Sequence, residues 1–241
     1  PGEFQDRVQL LRNALQWNRG DTTFAETGIF SGVEASDWSW GPIFLDVDLD
    51  GFEDILVTNG QLRDYQDSDA AERVAAAQAG GRTLTPADIL RLNRELPRFA
   101  TANALFHNQT PQRIRESLAT SGSPASPVVP VFLDRASEWG FATVGISQGA
   151  ALADLDNDGD LDVVMNNLLE GPGIYRNEST ASRVGIRLRG RGGNSRAIGS
   201  RITVTVPTAA SPFPKEQSQN MIAGGRYLSG DEPQRTFAAG A

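Results

Sequence analysis

LDVDLDGFEDILVTNG, residues 45–60, sets aspartates at positions 46, 48, 50 and 54 around Gly51 and runs straight into an apolar segment. Two like charges about 4 Å apart repel by about 4 kcal/mol at an effective dielectric of about 20, so such a stretch needs an opposite charge among its carboxylates. The stretch recurs. LADLDNDGDLDVVMNN, residues 152–167, carries Asp154, Asp156, Asp158, Gly159 and Asp162, and each stands 108 residues beyond its counterpart. The same offset relates Phe24 to Phe132, Gly32 to Gly140, Ser39 to Ser147, Gly41 to Gly149 and Asn59 to Asn167, a register unbroken for about 36 residues. An internal repeat of this kind decides the architecture before any single element does.

Upstream, NALQWN (13–18) matches NALFHN (103–108) at an offset of 90, so the second copy holds about 18 more residues, read as a loop over the Ser/Pro-rich ATSGSPASPVVP. Each unit reads as strand, loop, strand, acidic loop, strand. GIYRN (173–177) follows the second acidic loop as a partial echo and reads as the start of a third unit.

Between the copies the texture is helical. DAAERVAAAQAGG offers an Asp69–Glu72 capping spacing and a Gly80-Gly81 stop, and TPADILRLNREL offers Thr85 as cap, Pro86 at the first helical position and Pro97 as terminator. From Arg183 onward, RVGIRLRG and RITVTVP alternate apolar Val184, Ile186, Leu188 and Ile202, Val204, Val206 with polar residues, the period of half-buried strands, with a glycine-rich turn between them. The expected organisation is 1–60 as first unit, 61–102 as helical insertion, 103–178 as second unit with the start of a third, and 179–241 as a C-terminal β module.

Composition narrows the chemistry. The chain has 241 residues, 39% of them hydrophobic, enough for a sizeable core in one or two domains. A net charge of -8 argues against a nucleic-acid surface, and the C-terminal arginines lack the interleaved aromatics of a stacking platform. There is no cysteine, hence no disulfide, thiolate metal site or thiol nucleophile. No apolar run reaches the roughly 20 residues of a membrane span. The start at Pro1, without a signal-peptide pattern, reads as a processed or excised piece.

In each acidic loop the carboxylates fall at positions 1, 3, 5 and 9, with a glycine at 6 for the sharp bend. Such spacing converges hard oxygen ligands on one point, and position 7 can add its main-chain carbonyl. The expected ligands are Asp46, Asp48, Asp50, Asp54 and the Phe52 carbonyl in the first loop, and Asp154, Asp156, Asp158, Asp162 and the Asp160 carbonyl in the second. Calcium suits six to eight oxygens; magnesium prefers fewer carboxylates and more water. Val57 and Met165 stand where an EF-hand needs glutamate, so the expectation is two Ca2+ sites in strand–loop–strand hairpins.

FLDVDLDGFEDILVTNG and LADLDNDGDLDVVMNN, with NALFHN and YRN, resemble FG-GAP/VCBS repeats, and NSRAIGSRITVTV followed by GGRYLSGDEPQRTF resembles the ASPIC/UnbV domain of cartilage-acidic-protein-like proteins, many of them bacterial. The resemblance implies a mainly β chain, with propeller-type blades forming a partial propeller ahead of a small β module. The family's Phe-Gly-Leu-Gly ending is replaced by Phe237-Ala238-Ala239-Gly240. It also implies a non-enzymatic, calcium-binding module for protein–protein interaction, periplasmic or extracellular. Since no self-sufficient activity is visible and the blades are incomplete, the expectation extends to an accessory subunit on the outer or periplasmic face of a membrane assembly, with the helical insertion and the loop 121–130 as contacts.

Two competing classes have weaker support in the residues. A calcium-assisted hydrolase or lyase would need His107, the sole histidine, which reads better as a packed strand residue. A carbohydrate-binding module would use Trp38 and Trp40 as sugar platforms, but DWSWG alternates in strand register and reads as packing.

Overall fold

A computed structural model describes residues 11–78, 85–122, 128–205, 216–224 and 226–240. The Gly80-Gly81 helix stop, residues 123–127 of the Ser/Pro-rich loop and Val206 lie outside the described residues. The chain is mainly β.

The repeat is visible strand by strand. In the first unit β1 (Gln16–Asn18) and β2 (Phe24–Glu26) pair as a hairpin, followed by the one-turn α1 (Gly28–Ser31), by β3 (Ser39–Leu45) and by β4 (Asp54–Asn59). Two helices follow, α2 (Ser68–Gln78) and α3 (Pro86–Glu95). Next come β5 (Thr101–Ala102), β6 (Ala104–Asn108), α4 (Thr110–Ser121), β7 (Phe132–Asp134) and β8 (Val144–Gly145). The second acidic hairpin consists of β9 (Ser147–Ala153) and β10 (Asp162–Asn167), whose bounds stand 108 residues beyond those of β3 and β4. Both hairpins are antiparallel, and both carry an irregularity at their outer ends, between Ser39 and Gly41 and between Met165 and Asn167.

NALFHN and GIYRN do not open new sheets. β6 pairs with β4, and β11 (Gly173–Tyr175) pairs with β10, in the same register, so each completes the sheet of the acidic hairpin before it. The first sheet runs β3-β4-β6-β7 and the second β11-β10-β9. Asn18, Asn108 and Asn177 end these echo strands alike, each side chain accepting the amide two residues on, from Gly20, Thr110 and Ser179 at 2.9, 3.0 and 3.0 Å. Asn108 faces Phe132 across β6–β7 as Asn18 faces Phe24 across β1–β2. The extra residues of the second copy sit between those partners, and their first half is helix α4 rather than loop. Pro111 at its start and the αL Gly122 at its end mark its bounds.

Both inserted helices form. Thr85 and Asp88 make a reciprocal capping box at α3. At α2, however, Asp67 rather than Asp69 serves the helix start: Asp67 Oδ1 accepts the Ala70 amide at 2.7 Å. The two sheets face one another, and Ile43, Leu45, Leu56, Leu105, Leu152, Val163 and Met165 interdigitate in one core. Gly60 lets the end of β4 pass beside Gly145; at φ 109°, a Cβ there would stand 2.3 Å from the Gly145 carbonyl.

The C-terminal strands β12 (Arg183–Arg187), β13 (Arg201–Thr205), β14 (Glu216–Asn220) and β15 (Gln234–Ala238) form two hydrogen-bonded pairs, β12–β15 and β13–β14. The alternation at 183–188 and 202–205 does mark strands, but β12 and β13 do not pair with each other as the intervening turn suggests. Ile202, Met221 and Phe237 form a small core of their own. Trp40 is not a free platform: its indole N–H donates to the Gly60 carbonyl, and its ring lies 5.1 Å from that of Tyr227. Among the described residues, no helix is long and apolar enough to cross a membrane.

Candidate metal centres

The two acidic loops share one backbone. Leu49 and Asn157 take φ of 57° and 60°, and Gly51 and Gly159 take 91° and 98°. Two left-handed residues in a tight loop fold the chain so that alternate side chains point inward; glycine takes this conformation freely, whereas Leu49 must be held in it. In the first loop Asp46 accepts the amides of Asp50 and Gly51 at 2.9 and 2.8 Å. In the second, Asp154 accepts that of Asp158 at 3.0 Å. Asp50 and Asp158 accept the amides of Phe52 and Asp160 at 3.0 and 3.1 Å.

The last carboxylate of each set has a further role. Asp54 accepts the amides of Val47 and Asn108 at 3.1 and 2.7 Å, and Asp162 those of Leu155 and Asn177 at 2.8 and 2.8 Å. Each therefore ties its loop to the third strand of its sheet.

Carboxylate oxygens of Asp46, Asp48 and Asp54 lie within 4.8 Å of one another, as do ligand atoms of Asp48, Asp50 and His107, and of Asp154, Asp156 and Asp158. The four expected side-chain ligands of the first loop thus fall in two trios that share Asp48, and three of the second loop's four meet in one. Asp162 is outside its trio, while the Asp160 side chain turns away to pair with Arg183 at 2.9 Å. These clusters could hold metal ions.

What surrounds the loops differs. The first is enclosed: Asp54 and Leu49 are buried, Asn177 Nδ2 donates to the Val47 carbonyl at 2.9 Å, and Ser179 Oγ to that of Asp48 at 3.4 Å. His107 Nε2 lies 3.1 Å from Asp48 Oδ2, with its ring 4.9 Å from that of Trp139 and its Nδ1 2.8 Å from the Gln109 amide nitrogen. Asp48 Oδ1 is buried without a hydrogen-bond partner among the described residues. The second loop is open, with Asp156, Asn157 and Asp158 exposed, and it carries its own cations. Arg176, the GIYRN counterpart of His107, pairs with Asp156 at 2.9 Å, and Arg183 of β12 pairs with Asp158 at 3.2 Å.

The titration of the carboxylates follows these surroundings. Burial pushes Asp46 up to about 8, with the charges of Asp50, Asp48 and Asp54 adding to it and the Gly51 amide opposing it. Asp54 is pushed up to about 7 by burial against the amides of Asn108 and Val47, and Asp50 to about 6 by burial and the Asp48 charge. Asp158, in contrast, is lowered, chiefly by the Asp160 amide and then by Arg183. Burial raises Asp160 to about 7 even with Arg183 beside it. The hydrogen bond that His107 donates to Asp48 is the main cause that raises His107. A divalent cation inverts this logic in the first loop, because its charge favours every ionised carboxylate around it.

The basic residue before the echo asparagine was the signal available for the His107–Asp48 and Arg176–Asp156 pairs. Nothing local announces Arg183, which arrives through tertiary docking. Comparison with known proteins finds no family model matching the chain and no curated protein similar to it.

Proposed function

We propose that this chain is a calcium-stabilised scaffold of propeller-type blades that presents rigid loops to a protein partner and carries no catalysis of its own. The observation supporting it is one loop backbone built twice, with left-handed residues at the same two positions and carboxylates converging in both copies. Calcium is favoured over magnesium because each set is rich in carboxylates on a loop that can also offer main-chain carbonyls. The four-stranded antiparallel β3-β4-β6-β7 sheet and its three-stranded repeat suit successive blades of an incomplete propeller, in keeping with the FG-GAP/VCBS and ASPIC/UnbV resemblance.

Loops and insertions on a rigid β framework are where partners dock. Exposed Ile89 and Leu90 on α3 make the helical insertion the first candidate contact. Extracellular modules commonly bind calcium at about 10⁻⁴ to 10⁻³ M, an affinity suited to the periplasm or cell surface, where the chain would serve as an accessory subunit of a membrane assembly. Melting in chelator, in calcium and in magnesium tests the reading: calcium should stabilise well beyond magnesium, and equal effects would exclude a calcium scaffold.

A calcium-assisted hydrolase or lyase is the second reading, favoured by the contact of His107 with Asp48. Hydrolytic activity on ester, phosphoester or uronide substrates that disappears in His107→Ala would establish it.

A further inference from the structure

A separate polar centre lies where the C-terminal strands close over β3 and β9. Arg235 of β15 is only 7% exposed. Its Nε donates to the Asn220 carbonyl at 3.2 Å and its Nη1 to the Gln234 carbonyl at 2.7 Å, which occupies only part of its five N–H groups. Among the described residues, it forms no ion pair. The nearby carboxylate is taken: Asp231 accepts Arg226 Nε on both oxygens at 2.8 and 2.9 Å and the Leu152 amide at 3.0 Å. Arg226 is thus held by Asp231, with Glu53 in the same cleft, and Arg235 is left with N–H groups that no described carboxylate occupies.

Burying a charge without a counter-ion costs several kcal/mol. Here the charge is not sealed in. Arg226 and Arg235 line a cleft of about 550 Å³, within the range of small-molecule sites, whose walls include Phe44, Leu152 and Ile222. Glu53 lines the same cleft, so it is unsuited to a dianion.

We infer that this cleft binds an organic monocarboxylate with an apolar body, either a free acid or the C-terminus of a peptide, the carboxylate taken by Arg235 and the body lying along Phe44, Leu152 and Ile222. The planar guanidinium fork matches a carboxylate in two-point geometry, which a lysine cannot reproduce. One wall of the site, Glu53, belongs to the first acidic loop, which is why calcium is held fixed in the test.

The test is calorimetric titration of the full chain at fixed calcium with N-acetyl-leucine, N-acetyl-leucinamide, the peptide Ala-Ala-Leu with a free or an amidated C-terminus, and inorganic phosphate. The free acids should bind saturably, the amides and phosphate at least tenfold more weakly, and Arg235→Lys should weaken the acids tenfold or more. Tighter binding of the free-ended peptide than of N-acetyl-leucine would assign the site to chain termini; the reverse order would assign it to free acids. Ile222→Asp, on an exposed side chain, places a repelling charge at the cleft and should weaken the acids even if the arginine variant fails to fold. Amides binding as well as acids, phosphate binding as tightly, no saturable heat, or an Ile222→Asp protein that binds unchanged would each overturn the assignment.

Discussion

The two acidic loops are the same object in different surroundings. Backbone and spacing are repeated, yet the first loop is half-buried and its carboxylates meet one histidine in contact and the more remote charge of Arg115, while the second lies open and is paired with Arg176 and Arg183. A loop's geometry, set by its own sequence, therefore fixes where ligands point; the charge it must find is decided by what the rest of the chain brings to it. On this account the first loop depends on its ion more heavily than the second.

Removing the first ligand of each loop should break that symmetry most. Asp46→Ala deletes two amide contacts and a carboxylate of the enclosed site, and should cost about 2–4 kcal/mol in calcium. Asp154→Ala, in the open loop, should cost about 1–2 kcal/mol. Chemical denaturation of both variants checks the order, and equal losses would erase the distinction.

Arg183→Gln should follow. It leaves buried Asp160 without its partner, at a cost of about 2–3 kcal/mol in chelator. Added calcium should recover part of the loss, because Asp158 is then free to ligate. Denaturation with and without calcium measures both, and a loss unchanged by calcium would mean that Arg183 does not compete with an ion.

The third effect is pH dependence without metal. Asp46, Asp54 and Asp50 have folded values of about 8, 7 and 6, above the ordinary 3.8 of the unfolded chain. The folded state then holds protons that the unfolded state has released, so stability should fall as pH rises from about 4 to about 8. His107 adds in the same sense, its contribution being full below 6.5 and lost as pH passes its raised folded value. Calcium, which binds only ionised carboxylates, should flatten or reverse the trend. Thermal melts across that range, with and without calcium, read it directly.

The smallest effect is expected from His107→Ala, under about 1 kcal/mol in calcium, because the half-exposed pair with Asp48 is partly screened. A larger loss would make His107 part of the ligand cage.

Much of this was legible because it is local or repeated. The +108 offset anticipates the bounds of β9 and β10 from those of β3 and β4, and the spacing of Asp46, Asp48 and Asp50 anticipates which side chains meet. Helix α4 was hidden by the Ser/Pro-rich tail of the segment, although Pro111 is a sound first-turn signal. The pairing of β12 with β15 joins strands far apart in sequence, and the alternation of Val184 and Ile186 marks a strand without naming its neighbour. Strand alternation gives Arg183 no partner; only the docking of β12 beside Gly159 turns it onto Asp158 and Asp160.

The most direct measurement is calcium binding by the intact chain, titrated in a calorimeter and followed by melting with and without chelator. The account predicts two ions per chain and a stabilisation of about 2.7 kcal/mol for each site at a hundredfold excess over its dissociation constant. The removal of the first loop's ligands should abolish the tighter class. No bound calcium, or a melting temperature unchanged by chelator, would contradict it.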